Sequence, residues 1–205
     1  MKKHAIVTMT LAIALAMPAI TSAGPMSDFA AESSEKEYTF RGIPWGSSLE
    51  QVKNSDFLLQ YSDYVYDSEN NDIAVQDVKV AGKTAGVILY FGYKGLYSAG
   101  YVFDKEEGGI SDDYQTFLDV EKSLKKKYGD PDEKKDDFAA DVIKNTPSMY
   151  ALSISMGKAV FLRKWIGEDT ELWLATSGSN GTITNILIYQ SNTLSPVETE
   201  IDDGL

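Results

Sequence analysis

The residue types that most often carry out chemistry are scarce in this chain. It contains no cysteine and a single histidine, His4. That histidine lies in an amino-terminal segment with the pattern of a removable signal, so the remaining chain would have neither an imidazole nor a thiol. Histidine- or cysteine-based nucleophiles, ordinary zinc sites and disulfide frameworks are therefore excluded for the remainder.

Two catalytic arrangements do not need these residues. A pair of carboxylates could cleave a glycosidic bond, but a chain with 31 acidic residues offers many pairs by chance. Ser123 and Lys126 have the S-x-x-K spacing of penicillin-binding proteins, yet neither S-D-N nor K-T-G follows. No glycine-rich phosphate loop is present. We expect no catalytic residue and no cofactor, and keep a small carboxylate-dependent hydrolase acting on envelope glycan as the alternative.

An acidic run at residues 67–72 begins like a calcium-binding loop. Asp72 stands where such a loop needs its turn glycine, and Val78 stands where it needs a glutamate. The pattern therefore fails, and no metal site is expected.

Residues 1–23 follow the pattern of a secretory signal. Two lysines begin the segment, residues 5–17 form an apolar run, and Thr21 and Ala23 suit a signal peptidase. The run is shorter than the about 20 residues that span a bilayer. We expect cleavage after Ala23 and export to the periplasm or beyond.

Charge limits the class of partner. The formal net charge is −12, and loss of Lys2 and Lys3 with the signal would make it −14. Phosphate backbones and anionic membrane surfaces would be repelled, and no basic stripe is visible. Neither a nucleic acid nor a membrane is therefore an expected partner.

Polar segments frame one patterned region. Residues 24–37 predict a flexible leader, residues 38–193 an α+β domain, and residues 194–205 an acidic tail. A domain of this length can bury enough surface to fold without disulfides.

Two helices are predicted within the domain. Ser47 and Glu50 form a capping-box pattern that opens a short helix over residues 48–59. The second helix has Ser111 as its cap, apolar residues at helical spacing, and Gly129 at its end.

Strand-forming residues occupy most of the remaining domain. Residues 78–92 and 96–104 predict a β-meander with turns at Gly82 and at Lys94-Gly95. Three further strands are predicted at 159–166, 170–176 and 182–190, with Asn180-Gly181 as a tight turn. These elements favour an α+β fold with helices packed on an antiparallel sheet.

The order of elements has a weak internal symmetry. Residues 40–104 and 110–190 can be described as two helix-plus-hairpin repeats, with residues 136–157 as an insertion. Either duplication or chance similarity between two hairpins would explain this pattern.

Aromatic residues concentrate on the first predicted hairpin. Strand alternation places Tyr97 and Tyr101 on one face, where exposed rings would form a rigid platform for a peptide or a sugar. Tyrosines are also ordinary strand residues. Trp45 is either an interface anchor or a plug beneath the first helix. The candidate partner-binding residues are Trp45, Tyr93, Tyr97 and Tyr101.

The segment FRGIPWGSSLEQVK resembles the opening of a group of small exported bacterial proteins, in which F-x-G-I-P-W-G leads into a helix. KKYGDP and the strand ending in ILIYQS are similar to how these proteins close. More distantly, G-S-S-x-x-x-V and a helix ending in Y-G-D-P resemble the fold of β-lactamase inhibitor protein and of the small lipoprotein of the outer-membrane barrel assembly machinery. The resemblance implies a helix-on-sheet domain that binds other proteins, although the lipidated cysteine is missing.

The sequence therefore predicts an exported, non-enzymatic binding module for an envelope or secreted macromolecule, with a protein as the expected partner. Recognition would use the aromatic hairpin or an exposed edge of the sheet. The sequence leaves open the identity of the partner, the oligomeric state and the choice between periplasm and exterior.

Overall fold

Eight antiparallel strands form one sheet in the computed structural model, which describes residues 40–194. The strands are β1 (Val65–Asp67), β2 (Asp72–Val80), β3 (Lys83–Gly92), β4 (Gly95–Phe103), β5 (Glu133–Phe138), β6 (Ala159–Ile166), β7 (Thr170–Ser179) and β8 (Thr182–Ser191). Their order across the sheet is β1-β2-β3-β4-β8-β7-β6-β5. Each half of the sheet thus contains four consecutive strands, and β4 pairs with β8 at the centre.

Four short or medium helices occur between residues 40 and 194. They are α1 (Leu49–Lys53), α2 (Ile110–Tyr128), α3 (Asp141–Lys144) and α4 (Tyr150–Ser155), with 3₁₀ turns at Leu58–Gln60 and Pro147–Met149. α2 and α4 pack together on one face of the sheet, whereas α3 contacts β5 and has no buried residue. The predicted α+β class, with helices packed on an antiparallel sheet, is confirmed. None of the helices between residues 40 and 194 has both the length and the apolar character needed to cross a lipid bilayer.

The predicted signal at residues 1–23 and the predicted leader at residues 24–37 lie outside the described residues. The same is true of the predicted acidic tail beyond residue 194.

The predicted strands agree closely with the structure. β3, β4, β6, β7 and β8 all lie where the sequence places them, and the hairpin turn at Asn180-Gly181 is confirmed. Both turn residues have positive φ angles, 51° and 80°, as the favoured two-residue hairpin turn requires. Only the last three residues of β2 were predicted as strand. β1 and β5 were not predicted, because β1 has three residues and β5 has the charged sequence EKKDDF.

The first helix is shorter than predicted, and its cap lies one residue later. The Ser48 hydroxyl accepts a hydrogen bond from the Gln51 amide at 3.3 Å, and the Gln51 side chain accepts one from the Ser48 amide at 2.8 Å. Ser47 cannot serve as the cap because its hydroxyl donates to the carbonyl of Pro44. The capping box is therefore Ser48–Gln51, and α1 ends at Lys53.

The cap of the second helix lies two residues before the predicted Ser111. Gly109, with φ of 75°, occupies the cap position, and Ser111 lies inside the first turn. Gly129 ends the helix as predicted. The apolar side of α2 packs across β7 and β8, with Phe117, Val120, Leu124 and Tyr128 buried.

A buried ionic cluster ties α2 to the sheet. Arg163 on β6 is 3% exposed, and its Nε lies 3.1 Å from Glu121 Oε1 on α2. Its terminal nitrogen lies 2.5 Å from Asp136 Oδ1 on β5. The guanidinium also lies over the ring of Phe117. This cluster fixes the edge of the sheet beneath the helix.

Candidate functional site

The two faces of the sheet have different environments. Along the strands, every second side chain points toward the helices and is buried beneath them. The side chains between them point to the other face, where they are half-buried and have no helix of residues 40–194 above them. We call the second surface the open face. Its apolar members are Val65, Ala74, Ile88, Tyr90, Tyr97, Val102, Val160, Leu162, Ile166, Trp173, Ala175, Ile186 and Ile188.

The open face is continuous across the middle of the sheet. Trp173 on β7 is paired directly with Ile188 on β8, and Ile188 is paired with Gly100 on β4. Gly100 is in turn paired with Ile88 on β3. Gly100 contributes no side chain between them, and an added Cβ there would lie 3.5 Å from Ile188 Cγ1, so the Ile188 side chain covers this backbone. Trp173, Ile188 and Ile88 therefore form one apolar row across four strands.

A bulge adds a second aromatic ring to this face. The register of β3 and β4 shifts between the pairs Tyr90–Ser98 and Phe91–Leu96, so Tyr97 has no direct partner. Its ring lies 6.5 Å from that of Tyr90, which belongs to the open face. Tyr101 points the other way and is 4% exposed. The predicted common face for Tyr97 and Tyr101 is therefore wrong, because the bulge reverses the alternation.

Charged residues border the apolar centre. The Lys164 ammonium lies 4.4 Å from the centroid of the Trp173 ring and 3.0 Å from a carboxylate oxygen of Glu171. On the opposite side, burial and then the charge of Asp67 raise the pKa of Asp72. The open face thus has an apolar centre and a polar border, as protein-binding surfaces commonly do.

The four residues predicted to bind a partner do not come together. Trp45 packs against the core on the helix side, and its indole nitrogen donates to Thr170 Oγ1 at 2.6 Å. Tyr93 is 59% exposed in the β3–β4 turn, under the ammonium of Lys94. Tyr101 is buried on the helix-covered face. Tyr97 alone contributes to the open face.

The residues considered for catalysis have ordinary structural surroundings. Ser123 donates its hydroxyl to the Asp119 carbonyl within α2, and both Ser123 and Lys126 are exposed. No group of three histidine, cysteine or acidic side chains in residues 40–194 could hold a metal ion.

Residues 67–72, which do not fit the calcium-loop pattern, form a turn stabilised by hydrogen bonds to Asp67. Asp67 accepts hydrogen bonds from the Asn70 side chain and from the Glu69 and Asn70 amides, and these bonds lower its pKa. Its cross-strand partner is Asp72. The two carboxylates face each other at the edge of the sheet, where Asp67 is half-buried.

Sequence reasoning missed most of the open face. Strands with consecutive apolar residues, such as Ile186-Leu187-Ile188, predict burial on both sides. The number of predicted helices could have indicated the open face, because two helices can cover only one face of a sheet with so many strands.

Comparison with protein-family models, with curated proteins and with solved structures found no match. The resemblance carried by FRGIPWGSSLEQVK stays a prediction. A function is therefore proposed from the geometry of the open face.

Proposed function

We propose that this chain is an exported, non-enzymatic binding module that recognises another protein of the cell envelope or the exterior through its open face. The observation that supports the proposal is a broad apolar surface, centred on Trp173, Ile188 and Ile88, without a covering helix among residues 40–194. Soluble proteins rarely expose contiguous apolar patches of this kind unless they contact a partner.

The shape and composition of this surface favour a protein partner. It extends from β3 across β4, β8 and β7 to β6, whereas small-molecule sites are usually concave pockets. Trp173, Tyr90 and Tyr97 supply aromatic rings, and tryptophan and tyrosine are enriched at energetic hot spots. Paired strands hold these rings in place, so little entropy would be lost on binding.

Pairing through an edge strand is a weaker explanation of the same function. One edge is β1, with three residues, and the other is β5, which carries Glu133, Lys134, Lys135, Asp136 and Asp137. Short or charged edge strands oppose pairing with another chain. The open face is the better candidate.

We also propose that the chain arose by duplication. α1 precedes β1–β4 and α2 precedes β5–β8, and the two sets are arranged in mirror order about the β4–β8 pair. The proposed repeats would be larger than a helix and a hairpin, and residues 136–157 would contain an insertion between β5 and β6. Under this proposal, both halves contribute to the open face, Ile88 from the first and Trp173 from the second.

Photo-crosslinking in the native host tests the proposed function. A photoreactive phenylalanine analogue replaces Tyr90 on the open face or, as a control, the exposed Lys122 on α2. We expect one envelope or secreted protein to be captured from position 90 and not from position 122. The substitution Ile188→Asp should abolish that capture. Capture that is equal at both positions, or that survives Ile188→Asp, would contradict the proposed surface.

A further inference from the structure

A cleft lies on the helix side of the sheet, away from the open face. It has a volume of about 460 Å³ and is bounded by α2, the segment Phe40–Gly42 and the β2–β3 turn. Its apolar lining consists of Phe40, Val80, Tyr101, Val120, Leu124, Leu187 and Tyr189. This volume falls within the roughly 300–1,000 Å³ of typical small-molecule sites.

Two cationic side chains reach this cleft, those of Arg41 and Lys127, in a chain with 31 acidic and 19 basic residues. Lys79 borders the cleft only through its backbone, because its ammonium donates to Thr84 Oγ1 on the other face of the sheet. No aspartate or glutamate lines the cleft. Within the described part of the chain, neither Arg41 nor Lys127 lies within 4.0 Å of a carboxylate, although eleven such ion pairs occur elsewhere.

The cation at the mouth is held in a defined position. Arg41 has a φ of 55°, which is uncommon for a residue with a side chain. Its Nε donates to the Tyr101 hydroxyl at 2.6 Å, and a terminal nitrogen donates to the Lys79 carbonyl at 2.9 Å. These bonds join the mouth of the cleft to its floor. Burial raises the pKa of Tyr101, so its hydroxyl remains neutral and keeps a proton to donate.

We propose that this cleft binds a small anionic amphiphile, a molecule with a carboxylate head and an apolar tail, such as a fatty acid. The head would lie between Arg41 and Lys127, and the tail would lie against Tyr101, Leu187 and the apolar side of α2. Charge complementarity selects the head, since two cations without carboxylate neighbours favour an anion. The apolar lining selects the tail.

Calorimetry with the purified protein tests the ligand class. The probe is dodecanoate below its critical micelle concentration, compared with dodecanol and dodecyltrimethylammonium, which share the tail. We expect dodecanoate to bind at one site and the other two at least tenfold more weakly. Equal binding of all three, or no binding of dodecanoate, would overturn the proposal.

Charge reversal locates the head. The variant Lys127→Glu should weaken dodecanoate binding about fivefold, because the reversal turns a modest attraction into repulsion. The matched control Lys126→Glu makes the same change of net charge at an exposed α2 position outside the cleft. Equal weakening in both variants would show a general charge effect and overturn the assignment.

Blocking the cleft locates the tail. Ser123 lines the cleft and is exposed, so Ser123→Trp should fill the space and abolish binding without removing a core contact. Lys122→Trp is the control for an added ring on the same helix. Ile188→Asp on the open face should leave dodecanoate binding unchanged. Loss of binding in Ile188→Asp, or its retention in Ser123→Trp, would place the ligand elsewhere and overturn the proposal.

Discussion

Trp173 and Ile188 stand directly opposite each other on β7 and β8, at the centre of the open face. Their chain neighbours Leu172, Leu174 and Leu187 point to the other side and are fully buried beneath the helices. The same two strands therefore supply the core of the protein on one side and an uncovered apolar surface on the other. A surface of this composition gains free energy when a partner removes it from water.

Truncation of Trp173 tests its proposed role as an anchor. Trp173→Ala should weaken partner binding by about 2 kcal/mol or more, as at other tryptophan hot spots. Trp173→Phe should keep most of the stability, because the indole N–H is buried without a hydrogen-bond acceptor in residues 40–194. Affinity for the captured partner and urea unfolding of each variant provide the measurements. Tyr93→Ala, in the β3–β4 turn, is the control for loss of an exposed ring, and a larger effect there than at Trp173 would contradict the open face.

Removal of the buried cation should destabilise the fold. Arg163→Ala leaves the carboxylates of Glu121 and Asp136 without their shared partner and should cost about 3–5 kcal/mol in free energy of unfolding. Urea denaturation measures this loss. The double variant Arg163→Met/Glu121→Gln should lose less than the sum of its two single variants, because the charge and its partner are removed together. Additive losses would show that the two residues do not interact.

A fall in pH should weaken the buried ionic cluster of Arg163 and Glu121. Burial raises the pKa of Glu121, but the hydrogen bond from Lys125 and the charge of Arg163 outweigh burial and hold the pKa below its ordinary 4.5. A carboxyl whose folded-state pKa is lowered stabilises the protein above the unfolded value and loses this contribution as the pH falls through the folded value. Stability to urea should therefore fall below about pH 4.5.

Glu121→Gln should be less stable than the parent near neutral pH and should approach it in acid. Glu168→Gln, at an exposed carboxylate, is the matched substitution. A difference between parent and Glu121→Gln that stays constant across this pH range would contradict the linkage.

The sequence predicts those features of the fold that depend on local chemistry. Asn180-Gly181 can adopt the two positive φ angles of a hairpin turn, so the register of β7 and β8 is set by neighbouring residues. The end of α2 at Gly129 has a similar local cause. The cap of α1 at Ser48 was missed by one position, because two adjacent serines offer equivalent local signals. The cap of α2 was missed by two positions, because Ser111 is a preferred capping residue type, whereas Gly109 occupies the cap without a side-chain hydrogen bond.

Features that depend on distant contacts were not predictable in this way. The direction of Tyr97 depends on a bulge between β3 and β4, and alternation alone cannot place a bulge. β5 forms because β6 offers it a pairing edge, although its own residues are charged. The cleft is bordered by Arg41, Val80 and Lys127, which are far apart in sequence and come to one site only in the folded chain.

Gly95, in the turn between β3 and β4, should be more sensitive to substitution than Gly82, in the turn between β2 and β3. Gly95 has a φ of 98°, and an added Cβ would lie 2.4 Å from the Gly46 carbonyl oxygen. Gly46 and Ser47 exchange backbone hydrogen bonds with Leu96, so this close approach joins the segment before α1 to β4.

Gly95→Ala should therefore cost about 3 kcal/mol or more, from backbone strain together with a backbone clash. Gly82→Ala is the matched control, because its φ of 77° is also positive but an added Cβ there meets nothing within 4 Å. It should cost about 1–2 kcal/mol. Urea unfolding gives both values, and hydrogen exchange at the Gly46 and Leu96 amides should accelerate in Gly95→Ala alone. Equal destabilisation by the two substitutions would show that the close approach between Gly95 and Gly46 contributes nothing beyond the backbone angle.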